Sequence, residues 1–213
     1  RPAYFVSLVE ITTLEQMVTA VARAFGLDQF NAQNSIPNLA EAVGTQPALL
    51  LLDNAELLLA AERSAFVSWL TALHQAAPAL RLLLTSRQPL QIQAEWLISL
   101  AGLPVPTSTQ LPLAQAQQYE AVALFQQRAR QANQAFDLSE QNLAALIRLC
   151  QLLEGQPLGL ELAAAQTRHY SLAEVVQRLE DDMADLTVNL ADLPTRHRSL
   201  AAVFNQSWAI LSS

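Results

Sequence analysis

Ala48-Leu49-Leu50-Leu51-Leu52-Asp53-Asn54-Ala55-Glu56 is the stretch that decides the fold of this 213-residue chain. Five apolar residues on consecutive positions run straight into an acid. A second run, Arg81-Leu82-Leu83-Leu84, passes into Thr85-Ser86-Arg87. Unbroken apolar runs suit strands buried on both faces, as in a parallel sheet covered by helices. In such sheets ligands bind outside the carboxyl ends of the strands. An acid and an arginine delivered to that rim read as parts of a nucleotide-phosphate site.

Working outward, residues 4–9 are apolar and β-rich, and predict a further strand. Thr12 and Glu15 have capping-box spacing for a helix carrying Leu14, Met17, Val18, Val21 and Phe25, with Gly26 placed to end it. A short helix is expected over 36–43, and a longer one over 62–77 with Phe66, Val67, Leu70, Leu73 and Ala77 on its apolar face. A weaker strand is expected over 96–100. Strands alternating with helices imply parallel βαβ units. After Pro104 the pattern changes. Residues 105–113 hold Pro106 and Pro112 among Thr107, Ser108 and Thr109 and read as a linker, and everything beyond is helical. Helices are predicted over 117–131, from Ser139 through Leu153, over 157–168, and from a Ser171/Glu174 capping box to Leu179. A last helix is expected from Arg198. No internal repeat stands out.

Composition narrows the function classes. The chain is 52% hydrophobic and 15% charged, which describes a globular protein with ample core. A net charge of -7 gives no electrostatic footprint for nucleic acid, so no direct nucleic-acid binding is expected of this segment. Cys150 is the single cysteine, which excludes an internal disulfide and a multi-cysteine metal site and fits a reducing cytoplasm. No stretch reaches the roughly 20 apolar residues that span a membrane. All twelve basic residues are arginine, so the chain has no lysine to serve a phosphate loop. The opening Arg1-Pro2 and the closing Ser212-Ser213 suggest a piece of a longer polypeptide, cut at both ends.

Several residues could carry chemistry. Asp53 could hold a magnesium-bound water, or could simply turn the chain. Asn54 cannot act as a base, which leaves Glu56 as the local candidate to orient water. Arg87 could offer its planar fork of donors to a terminal phosphate, or form a surface salt bridge. Thr85 and Ser86 could bond phosphate or merely finish the strand. Gly155-Gln156-Pro157-Leu158 joins two helices, and by itself is an ordinary junction. His74, His169 and His197 show no ligand spacing, and Trp69, Trp96 and Trp208 read as core.

In order along the chain, LLLLDNAELL (49–58), LLLTSRQPL (82–90), AVALFQQRA (121–129) and LEGQPLGLELAAAQTR (153–168) resemble the signal-transduction ATPases with numerous domains (STAND). More narrowly, they resemble the NB-ARC class, in its branch of large bacterial transcriptional regulators. The resemblance implies an α/β, P-loop NTPase-like parallel sheet with flanking helices, truncated at its amino end, followed by an all-helical lid. Residues 1–104 would be the nucleotide-binding domain, 114–182 the lid, and 196–213 the start of a winged-helix domain. Asp53 would be the Walker B acid on magnesium, with Glu56 beside it. Arg87, with Thr85, would read the terminal phosphate, and Gly155 and Pro157 would match the GLPL motif against the bound nucleotide. The implied cofactors are ATP or ADP with magnesium, bound by the full-length parent, which would hydrolyse ATP slowly at most. Without the family's glycine-rich loop and its lysine, this segment alone is expected to bind ATP poorly. The implied partners are other domains of the same polypeptide and further copies on activation. Two other readings stand beside this one: a nucleotide-independent interaction scaffold on the same fold, and an unrelated doubly wound enzyme.

Overall fold

A computed structural model describes residues 1–27 and 35–181. The expected start of a winged helix at 196–213 lies outside the described residues. Element order is β1 (Ala3–Ser7), α1 (Leu14–Ala24), α2 (Ser35–Val43), β2 (Ala48–Asp53), α3 (Glu56–Ala76), β3 (Leu80–Leu84), α4 (Leu113–Ala116), α5 (Glu120–Ala132), α6 (Glu140–Leu152), α7 (Pro157–Gln166) and α8 (Leu172–Asp181). The chain divides into two units, Arg1–Ile98 and Ser99–Ser213.

The first unit is α/β. Its three strands pair in parallel in the order β1-β2-β3, with Val6 opposite Leu52 and Leu52 opposite Leu84. Val6, Leu50, Leu52 and Leu80 are buried with Met17, Val21, Leu39, Phe66, Trp69, Leu70 and Leu73 in one core, so α1, α2 and α3 share one face of the sheet. Trp69 also donates its Nε1–H to Ser35 Oγ at 3.1 Å.

Four expectations need correction here. Burial along β2 alternates, Ala48, Leu50 and Leu52 buried and Leu49 and Leu51 only partly so. The apolar run is therefore covered fully on one face, not both. Residues 96–100 form no strand, and Trp96 is 95% exposed rather than core, because β propensity without a paired neighbour fixes nothing. The capping box at α1 is Thr13 with Gln16, one residue on from the expected pair, since Thr13 has the extended conformation a cap needs. Finally, α3 starts at Glu56 and breaks at Glu62 (φ -137°, ψ 43°). The Glu62 carboxylate accepts the Leu14 N–H at 2.7 Å, at the positive end of α1.

The second unit is helical among its described residues. Val122, Phe125 and Ala129 of α5 meet Leu143, Leu146, Ile147 and Cys150 of α6, with Leu160 and Ala163 of α7 and Val175 of α8. Leu103, Val105 and Leu111 pack on this core, so the stretch expected to be a linker belongs to the helical unit. At the α6–α7 junction, Gly155 has φ +66°. Its carbonyl accepts the Leu103 N–H at 2.8 Å. A Cβ on Gly155 would collide with the Leu103 backbone, and one on Gly102 with the Glu154 carbonyl. Pro157 takes the first turn of α7. The Ser171 cap is present, with its N–H and hydroxyl both donating to Glu174 at 2.7 Å. That bonding holds the Glu174 carboxyl below its usual range.

Candidate functional site

Asp53 is the last residue of β2. Its carbonyl accepts the Leu8 N–H at 2.8 Å, which ties it to the end of β1. Asn54 then turns the chain with φ +64°, a left-handed conformation that asparagine tolerates better than most side chains. This sharp turn lets α3 begin two residues later, with Glu56 in its first turn, where the helix dipole favours a negative charge.

Thr85 follows β3 and locks the rim. Its N–H donates to the Leu52 carbonyl and its own carbonyl accepts from Ala55 N–H, both at 3.0 Å. Its hydroxyl donates to Asp53 Oδ1 at 2.6 Å and accepts the Asn54 N–H at 2.9 Å. A hydroxyl has one proton, so the direction of both bonds is fixed. A charge-assisted bond of this length orients the Asp53 carboxylate firmly.

Glu56 is 8% exposed, buried for an acid. Asn54 Nδ2 lies 3.5 Å from its Oε1. Arg87 Nε stands 3.7 Å from the same oxygen, within ion-pair range. The chain beyond Arg87 is braced: Arg63 donates to the Pro89 carbonyl at 2.7 Å, and Glu95 accepts the Leu90 and Gln91 N–H groups at 2.9 Å.

The structure thus brings four of the singled-out residues together, Asp53, Glu56, Thr85 and Arg87, at the carboxyl edge of β2 and β3. Gly155 and Pro157 belong to the helical unit, where both serve the α6–α7 junction. Sequence reading missed the turn role of Asn54 and the brace from Arg63. The signal for Asn54 was an Asn between a strand-ending acid and a helix.

The donor set bears on the implied magnesium and nucleotide. Among the described residues no group of three or more His, Cys, Asp or Glu could hold a metal ion. One strand-end carboxylate beside a threonine hydroxyl suits a hard cation that keeps its waters and shares phosphate oxygens. The residues therefore fit magnesium delivered with a nucleotide, and not a protein-only metal site.

Among known proteins, the chain is 30% identical over 208 residues to a Mycobacterium tuberculosis protein described as "Putative HTH-type transcriptional regulator Rv0890c", the match covering 98% of this chain and 22% of that protein. The Mycobacterium bovis counterpart, "Putative HTH-type transcriptional regulator Mb0914c", matches to the same extent. "Uncharacterized protein Rv0894" of Mycobacterium tuberculosis is 26% identical over 205 residues, covering 96% of this chain and 48% of that protein. The chain spans about a fifth of the length of the regulators it matches. No protein-family model and no solved structure matches the chain. Among the described residues no helix is long and apolar enough to cross a membrane.

Proposed function

We propose that this chain is the sheet-and-lid portion of a nucleotide-dependent switch of the STAND type, within a bacterial multidomain transcriptional regulator. The observation that carries the reading is the convergence of Asp53, Thr85, Glu56 and Arg87 on one rim of a parallel sheet. Likeness to proteins named as transcriptional regulators supports the regulatory part. In this reading Asp53, held by Thr85, anchors the magnesium of a bound ATP or ADP. Magnesium supplies charge neutralisation on the phosphates. Glu56 orients water, and Arg87 senses the terminal phosphate. Gly155 and Pro157 belong to the lid and contact the nucleotide. The lysine that such a site uses comes from outside these 213 residues, and turnover is slow at most. The chain works in the cytoplasm with the other domains of its polypeptide, and assembles with further copies when ATP replaces ADP.

One observation favours a second reading. Arg87 and Glu56 already pair with each other, as they would in a scaffold that has given up nucleotide chemistry. Calorimetric titration of the full-length parent with ATP and ADP, with and without magnesium, separates the two. The switch reading expects magnesium-dependent binding by the parent, much weaker binding by the 213-residue chain, and loss of magnesium dependence in Asp53→Ala. A folded parent with no affinity for either nucleotide refutes it in favour of the scaffold.

A further inference from the structure

Arg87 has two claimants at the rim. In the proposed switch it reads a terminal phosphate, yet its Nε stands 3.7 Å from Glu56 Oε1. Three other ion pairs, Arg128–Glu161, Arg130–Asp137 and Arg148–Glu180, lie in the helical unit with their acids 31%, 78% and 36% exposed. Exposed pairs of that kind contribute little. The Glu56 side chain is only 9% exposed. A carboxylate so far out of water needs a partner, and removing that partner is costly. The pairing at Glu56 therefore matters far more than pairing at the surface.

The two acids of the rim are held by different means. Asp53 receives the Thr85 hydroxyl at 2.6 Å. Glu56 has the Arg87 guanidinium, with Asn54 Nδ2 3.5 Å from the same oxygen. An uncharged hydroxyl keeps the Asp53 carboxylate oriented and negative whatever Arg87 does. Asp53 can thus take a magnesium-bound diphosphate with the Glu56–Arg87 pair intact. A third phosphate differs, because it brings a new anion to compete for Arg87.

We infer that Glu56 is a built-in competitor for the terminal phosphate: it holds Arg87 when the site is empty or carries ADP, and yields the guanidinium when ATP binds. A ligand moves an equilibrium only by its differential affinity for the two states. ADP has none for this latch, and ATP does. Glu56 is therefore a specificity-determining residue that lowers ATP affinity relative to ADP and biases the chain toward its ADP form. The same exchange releases the carboxylate to orient water only once a terminal phosphate is present to be attacked. Asn54 Nδ2 stays beside the released oxygen, so the buried charge keeps a donor. This latch presupposes the nucleotide switch proposed above, and gives a pair that a scaffold could also hold a role within it.

Calorimetric titration of the full-length parent with ATP and with ADP, each with magnesium, tests the latch in Glu56→Gln, Arg87→Ala and the double variant. Glu56→Gln keeps the shape of the side chain and removes its charge. The ratio of ATP to ADP affinity is expected to rise at least about fivefold in Glu56→Gln, the low end of ordinary coupling between sites. Adding Glu56→Gln to Arg87→Ala is expected to leave the ratio unchanged. Simple loss of a negative charge near the phosphates would instead persist without Arg87. An unchanged or lowered ratio in Glu56→Gln overturns the latch and leaves the switch standing, and so does a rise that survives in the Arg87→Ala background. A parent that binds neither nucleotide, as wild type or in any variant, overturns the switch and the latch together. Glu56→Asp, which keeps the charge and draws it back by one methylene, serves where Glu56→Gln fails to fold: a smaller rise in the ratio is expected, and no rise overturns the latch.

Discussion

Three glycine-to-alanine substitutions separate two costs that usually arrive together. Gly26 has φ +74° and open space around a Cβ, so Gly26→Ala pays only for handedness, about 1–2 kcal/mol. Gly102 lacks a positive φ, but its Cβ would meet the Glu154 carbonyl, so Gly102→Ala pays only for the collision. Gly155 has φ +66° and would strike the Leu103 backbone, so Gly155→Ala pays both. Relieving that collision separates Leu103 from Gly155 and weakens the 2.8 Å bond between them, a further ~1 kcal/mol on top of the handedness cost. The expected total is about 2–3 kcal/mol for Gly155→Ala, which exceeds either control. Urea unfolding followed by circular dichroism reads this out. With a slope of about 1–3 kcal/mol/M, the helical unit's midpoint should fall by on the order of 1–2 M. A Gly155→Ala midpoint no lower than that of Gly102→Ala would refute the reasoning, because the left-handed junction would then be dispensable.

Thr85→Val removes both the donor to Asp53 and the acceptor for Asn54, and should lower the first unit's stability by about 1 kcal/mol in urea titrations, with Thr85→Ser retaining it; equal midpoints for Val and Ser variants would count against the rim lock. In the full-length parent, Arg87→Ala should narrow the ratio of ATP to ADP affinity, and an unchanged ratio in competition titrations would remove Arg87 from the sensing role. Burial raises the Cys150 thiol from 9.0 to about 12, so the folded state holds that proton more tightly than the unfolded chain. The stability this gives is whole below pH 9 and is lost as pH climbs from 9 toward 12. Cys150→Ala should flatten the fall of the unfolding midpoint across that window, and parallel pH profiles for the two proteins would contradict the burial effect.

Much of the rim was legible in the sequence, because two physical facts suffice to find it. A run such as Ala48–Leu52 must be sheltered, and the residue that ends it must surface at the strand's carboxyl end. That places Asp53 and Arg87 at the edge without knowledge of a contact. The same run could not say which sheet face was covered, since Leu49 and Leu50 are identical side chains and only the neighbouring helices tell them apart. Trp96 to Leu100 misled for a related reason: β-rich composition describes a segment ready to pair, and pairing needs a neighbour. In the helical unit, the stripe Leu143, Leu146, Ile147, Cys150 and Leu153 was readable from spacing alone, and all five are buried. Residues 105–113 were not, since proline-rich chain can pack on a core without regular structure. The Thr85 relay could not be seen either, because its partners lie 31 and 32 residues away.

The break in α3 bears on how the acid beside Arg87 is held. An unbroken helix would make Glu56 one end of a stiff rod anchored by Phe66, Trp69 and Leu70. With the ladder interrupted at Glu62, the leading turns form a separate short lever, clipped at its rear to the first amide of α1. The position of Glu56 is thereby set jointly by the sheet rim in front and by α1 behind. A Glu62→Gln exchange, six residues along α3 from Glu56, would loosen that rear clip without altering any rim side chain.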